Sequence, residues 1–101
     1  MKPKKYVVSP EAKQDVIEIL DYGLLNYLSD RAFGYHDGLV STFEIIVKFP
    51  YMGEIYEDHP KLLRHYAYRS HIIFYAIEDD YIHIVRVFNG RQNYKAYFED
   101  Y

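Results

Sequence analysis

The chain has 101 residues, no cysteine and a formal net charge of −3. This length suits one domain, expected to span residues 1–101, with enough surface to bury for a single core. The absence of cysteine excludes disulfides and thiolate metal sites, and the acidic balance argues against a dedicated nucleic-acid binder. Lys2, Lys4 and Lys5 resemble the start of an export signal, but Ser9, Pro10, Glu11, Lys13 and Asp15 replace the apolar stretch that should follow. No apolar run approaches the ~20 residues that span a bilayer. The expectation is a soluble cytoplasmic protein without a membrane segment.

Lys4 to Val8 reads as a short first strand, rich in β-branched residues. A helix start follows at Ser9-Pro10-Glu11. Ser9 can cap, Pro10 fits the first helical position, and Glu11 complements the positive helix end. Ala12, Val16, Ile19, Leu20, Tyr27 and Leu28 recur at helical spacing and predict one buried face. Glu11, Asp15, Glu18 and Asp21 fall on the other flank, and Gly23 weakens the middle. Ser29-Asp30 is expected to cap a second helix. Its buried stripe is Ala32, Tyr35, Leu39, Phe43, Ile46 and Val47, down to Phe49, and Pro50 stops it. The two helices form a tight αα-hairpin.

Residues 50–60 read as a loop rich in breakers and charge. Three strands follow, at Leu62–Arg69, Ile72–Ile77 and Tyr81–Phe88. Their connections, Arg69-Ser70-His71 and Glu78-Asp79-Asp80, are short enough to require antiparallel neighbours. In the last strand alternation places Ile82, Ile84, Arg86 and Phe88 on one face and Tyr81, His83, Val85 and Val87 on the other. Both faces are mostly apolar, so this strand is central. Asn89-Gly90 turns the chain, because both tolerate positive φ. Gln92 to Tyr101 is a final helical turn or a packed tail. The predicted class is α+β: a strand, a two-helix hairpin, a three-stranded antiparallel meander and a short C-terminal helix or tail.

Charge is uneven along the chain. Residues 1–60 carry six Lys/Arg against ten Asp/Glu, and residues 61–101 carry six against five. The second half is therefore the better place for an anionic partner. Thirteen tyrosines and no tryptophan suit half-buried positions and protein interfaces. Arg86 is the sharpest single signal, since a guanidinium in a central strand must be paired or face a cleft. It makes a structural ion pair, with Glu44 or Glu54, or it joins Arg64 and Arg91 in a concave cationic patch suited to phosphate. His83 reads as packed or hydrogen-bonded rather than as a base. His59, His65 and His71 lack metal-ligand spacing, so neither metal nor cofactor is expected. No glycine-rich phosphate loop, nucleophile elbow or H-E-x-x-H occurs.

These elements meet a set of motifs. Y-x-x-S-P-x-A-x-x-D runs from Tyr6 to Asp15, and Phe49-Pro50-Tyr51-Met52-Gly53 closes the second helix. Leu63-Arg64, Phe74-Tyr75 and I-x-I-V-R-V-F-N-G-R-Q-N from Ile82 to Asn93 follow. In this order they resemble the ParE branch of the RelE/ParE toxin superfamily, the toxin halves of type II toxin–antitoxin modules. The resemblance covers nearly the whole chain. It implies a helical hairpin on a mainly antiparallel sheet and a cognate antitoxin that winds around the toxin in a hetero-oligomer. It also implies a target, which is DNA gyrase for ParE-type members and messenger RNA on the ribosome for RelE-type members.

Cleavage of RNA needs a base, a cation and an acid. Arg64, Arg86 and Tyr97 are the candidates here, and no convincing base accompanies them. Where many family members carry a histidine after the last strand, this chain has Asn89. Asn93 stands where an acid is frequent. These departures favour a non-catalytic gyrase inhibitor over the alternative of a ribosome-dependent nuclease. The expected target-facing residues are Arg91, Tyr94, Lys95, Tyr97 and Phe98. The expected antitoxin-facing residues are Tyr22, Tyr27, Phe33 and Tyr35.

Overall fold

The computed structural model describes residues 2–59 and 61–98. Strand β1 (Lys5–Val8) leads into helix α1 (Pro10–Asn26), which turns back as α2 (Ser29–Lys48). Strands β2 (Glu54–Tyr56), β3 (Leu63–Tyr68), β4 (His71–Ile77) and β5 (Tyr81–Asn89) follow, then a four-residue helix α3 (Tyr94–Tyr97). The sheet order is β1-β5-β4-β3-β2. β1 lies parallel to β5, and the other neighbours are antiparallel. The α+β class holds. The expected meander gains a fourth strand, β2, in the segment read as loop. Three residues among breakers carry too little periodicity to be recognised.

Ser9 starts α1 as its spacing suggests, accepting a hydrogen bond from Ala12 N at 3.0 Å. α1 ends at Asn26, so Tyr27 and Leu28 fall outside it and are exposed, not buried. Leu28, not Ser29 or Asp30, is the residue before α2, and no side chain caps that helix. Gly23 has a packing reason: a Cβ there would sit 3.1 Å from the Ala32 Cβ on α2. α2 buries Ala32, Leu39, Phe43 and Ile46 at the predicted period. Between β3 and β4 it is Arg69 that takes a positive φ of 51°, at a cost of order 1–3 kcal/mol. No described glycine does, so the Asn89-Gly90 turn closes without it.

The sheet has two apolar faces. Under the helices, Leu39, Phe43, Ile46, Ile73, Tyr75 and Ile84 form the main core. On the opposite face, Tyr56, Leu63, Phe74, Val85, Phe88 and Phe98 form an aromatic cluster. The faces of β5 do not follow simple alternation. Phe74 pairs with Arg86 but Tyr75 pairs with Ile84, which leaves Val85 as the extra residue of a bulge. Past the bulge the side chains change face. Val87 joins the helix-side core with Ile82 and Ile84, and Phe88 joins Val85 on the other side. The expected pairing of Phe88 with Ile82 and Ile84 is therefore corrected.

Candidate functional site

The bulge sets the position of Arg86. β1 pairs with β5 only as far as Ile84. Beyond it the outer side of β5 is met by side chains from the start of α1. The Ser9 hydroxyl donates to Val85 O at 2.7 Å. The Asp15 carboxylate accepts from Val87 N at 2.9 Å, from Arg86 Nε at 2.8 Å and from Arg86 Nη2 at 2.8 Å. The Arg86 side chain is 18% exposed and that of Asp15 10%. The fork geometry fixes the guanidinium, and its bonds to Asp15 hold its pKa above the ordinary arginine value. One flank of Arg86 rests 4.4 Å from the Phe88 ring centroid and 5.6 Å from that of Tyr97.

The ion-pair reading of Arg86 is thus the one that holds, with Asp15 in place of Glu44 or Glu54. Asp15, assigned to the solvent flank of α1, is buried. Its signal was present in the spacing, since Asp15 stands three residues after Ala12 and four before Ile19, on the apolar stripe itself.

Arg64 lies two strands from Arg86, about 10 Å between backbones at the usual strand spacing. Its Nη1 donates to Gly53 O at 2.7 Å, and its guanidinium sits 5.0 Å from the Tyr51 ring centroid. Gly53 is fixed from the other side. Tyr75 Oη accepts from Gly53 N at 3.0 Å and donates to Pro50 O at 2.7 Å, and a Cβ on Gly53 would lie 2.5 Å from that hydroxyl. Arg64 therefore ties the β2 segment to β3. Of the nuclease candidates Arg64, Arg86 and Tyr97, only the last two come together. Of the three arginines expected to form one patch, Arg91 alone is exposed. His83 and Arg64 line a shallow depression of about 530 Å³ at the other end of the sheet, over Leu63 and Val85.

The C-terminal segment divides into anchors and exposed groups. Tyr94 packs 5.2 Å from Phe74 and stacks on Phe88, and Phe98 is 7% exposed against Tyr56, Phe74 and Phe88. Phe98 is thus held inside rather than presented outward. Arg91, Lys95 and Tyr97 are exposed. Residues 99–101 lie outside the described residues.

On the helical hairpin Tyr22, Tyr27 and Phe33 are exposed as expected. Leu25 at 85% and Leu28 at 82% exposure extend this apolar tip, and neither was singled out for it. Tyr35 differs from the other three. Its half-buried hydroxyl lies 2.6 Å from His71 Nδ1 and accepts from Ser70 N at 3.3 Å. Burial raises its pKa and lowers that of His71. In the Nε2–H tautomer of neutral His71 the hydroxyl donates to Nδ1, and in either tautomer the contact clasps the β3–β4 turn to α2.

The family model described as the ParE toxin of the type II toxin–antitoxin system parDE matches residues 6–94. The chain belongs to the ParE toxin family. Membership implies a cognate antitoxin as partner. Among solved structures, a chain of the "Chromosomal ParDE TA system from P. aeruginosa" shares the fold. It superposes with a TM-score of 0.70 at 13% identity, over 87% of this chain and 96% of that one. A search of curated proteins finds no significant match. Neither positive finding points to the messenger-RNA nuclease branch. The ParE match begins at Tyr6, after the N-terminal lysines, and ends at Tyr94, before Lys95 and Tyr97. Among the described residues no helix is long and apolar enough to cross a membrane.

Proposed function

We propose that this ParE-family toxin acts in the cytoplasm by binding DNA gyrase and blocking it without transforming a substrate, and that its cognate antitoxin neutralises it. The observation that carries the reading is the division of the cationic residues. Arg86, the strongest candidate for a phosphate-stabilising group, gives two of its nitrogens to Asp15. Arg91, Lys95 and Tyr97 remain exposed on a segment anchored by Tyr94 and Phe98. An exposed surface with two cations and an aromatic ring suits protein recognition, where arginine and tyrosine are favoured anchors. The antitoxin is expected on the hairpin tip, where Tyr22, Tyr27 and Phe33 offer the exposed anchors of a helix-in-groove contact.

The test is a supercoiling assay with purified gyrase. Rising concentrations of the free toxin should abolish supercoiling, and added antitoxin should restore it. Full supercoiling at excess toxin rejects the gyrase reading. Primer extension on translated messages, run in parallel, should show no new cuts.

A further inference from the structure

The link between β3 and β4 departs from the usual chemistry of a tight hairpin. Tyr68 pairs with His71, so Arg69 and Ser70 are the two central residues of the loop. The favoured two-residue loops need positive φ at the first central residue, and glycine, asparagine or aspartate commonly stands there. Here it is Arg69, at φ 51°, the one non-glycine residue with positive φ among the described residues. Its side chain is exposed and makes no ion pair among the described residues. It rests 5.7 Å from the ring centroid of its neighbour Tyr68.

Backbone strain of this kind persists where the surroundings over-determine it. Ser70 N donates to Tyr35 Oη at 3.3 Å, and the same hydroxyl lies 2.6 Å from His71 Nδ1. Tyr68 packs edge-on against Tyr35 at 5.2 Å, and its hydroxyl fills the space that a side chain at Gly38 would need. Gly90 N donates to Ser70 O at 2.9 Å, which joins this turn to the Asn89-Gly90 turn. Arg69 stands one residue before Ser70 and Arg91 one residue after Gly90, so two fixed turns set two exposed arginines at one end of the sheet. Arg91 N is itself held by Asn89 Oδ1 at 2.9 Å. Residues 68–71 and 89–98 carry Arg69, Arg91 and Lys95 and no carboxylate, while Asp37, beside Gly38 on α2, lies 3.2 Å from His36. Glu99 and Asp100 fall outside the described residues.

We propose that Arg69 is a specificity-determining residue of the target-binding surface, acting with Arg91 across the two turns to receive carboxylates of an acidic segment of the target protein. The inference rests on the gyrase reading and adds to the strap a second element, tied to α2 through Tyr35. Carboxylates are favoured over nucleic-acid phosphates because the chain carries a net charge of −3 and presents two arginines on fixed backbones instead of a long basic stripe. Holding the backbone in advance lowers the ordering cost of binding.

The test measures binding of the whole toxin to purified gyrase, with Arg69→Gly and Arg69→Lys set against the parent. Glycine removes both the charge and the strain, so its urea midpoint should equal or exceed the parent's, while gyrase binding falls about tenfold or more. Lysine keeps the charge and should stay within about threefold of the parent. A glutamate-rich synthetic peptide should compete with gyrase for the parent, where a short DNA duplex at the same phosphate-to-carboxylate ratio should not. Unchanged binding by Arg69→Gly overturns the proposal. So does a lowered urea midpoint in that variant, which makes the arginine a structural residue. Competition by the duplex, or none by the peptide, overturns the acidic-segment chemistry. A parent that fails to bind gyrase refutes the target reading alone, and the site is then judged by growth arrest on expression without antitoxin. Arrest relieved by Arg69→Gly at parental protein levels keeps the site, and arrest equal to the parent's removes it.

Discussion

The two faces of the sheet are covered in different ways. One lies under two long helices, with Leu39, Phe43, Ile46 and Tyr75 almost fully buried. The other is covered by a four-residue helix and one inserted ring, Phe98. The first cover is continuous and joined to the strands by a hydrogen bond that Ser9 donates and by others that Asp15 and Tyr35 accept. The second is a short strap resting on aromatic contacts. Burial under the helices specifies the fold, while the strap can present Arg91, Lys95 and Tyr97 and still give way locally.

The largest expected effect breaks the helical side. Phe43→Ala should cost about 3–5 kcal/mol, as truncation of buried aromatics does, and urea unfolding would measure it. Phe98→Ala removes a ring of equal size from the other face but should cost clearly less. Local release of residues 94–98 limits the loss, and exchange of their amides should quicken while the helices stay protected. Equal global costs for the two substitutions would erase the proposed contrast.

Next in size is the link between the faces. Asp15→Ala leaves a mostly buried Arg86 without its carboxylate and Val87 N without an acceptor, so a loss of about 3 kcal/mol is expected. Combining it with Arg86→Met should recover part of that loss, because the uncompensated charge is gone. A double variant as unstable as the two single losses added together would show that the pair is not coupled.

A smaller effect sharpens the clasp on α2. Burial lowers the pKa of His71 below its ordinary value near 6.5, so the unfolded chain binds the proton more readily. Stability should be fully present above that value and should decline as pH falls from it through the folded-state pKa. Removing the imidazole with His71→Asn should flatten this part of the pH profile. An unchanged profile would place the titration elsewhere.

The helices were legible because their apolar stripes are long: Ala32, Leu39, Phe43 and Ile46 repeat over four turns. β3, β4 and β5 were legible from β-branched and aromatic runs between short polar links. The misses share a cause, namely single residues that depart from the period around them. Asp15 sits at an apolar position and looks like surface charge until Arg86 and Val87 are found opposite it. Val85 breaks the alternation of β5 by one residue. The adjacent apolar pairs Ile84-Val85 and Val87-Phe88 were the only sign of it. The lysines of the first five residues form a patch only once α2 brings Lys48 beside them, which charge counted along the chain does not show. The division of the C-terminal segment into inward Phe98 and outward Tyr97 depends on the turn of α3, which is too short to show a period.

The least costly substitutions for the fold should be the most costly for function. Arg91→Ala with Tyr97→Ala alters exposed side chains and should shift unfolding by no more than about 0.5 kcal/mol per site. The most direct measurement is gyrase supercoiling inhibition by this double variant, set against the parent at equal concentration. Loss of inhibition in a variant with parental stability is the predicted result. Inhibition equal to the parent's would contradict the assignment of the strap as the surface that meets the target.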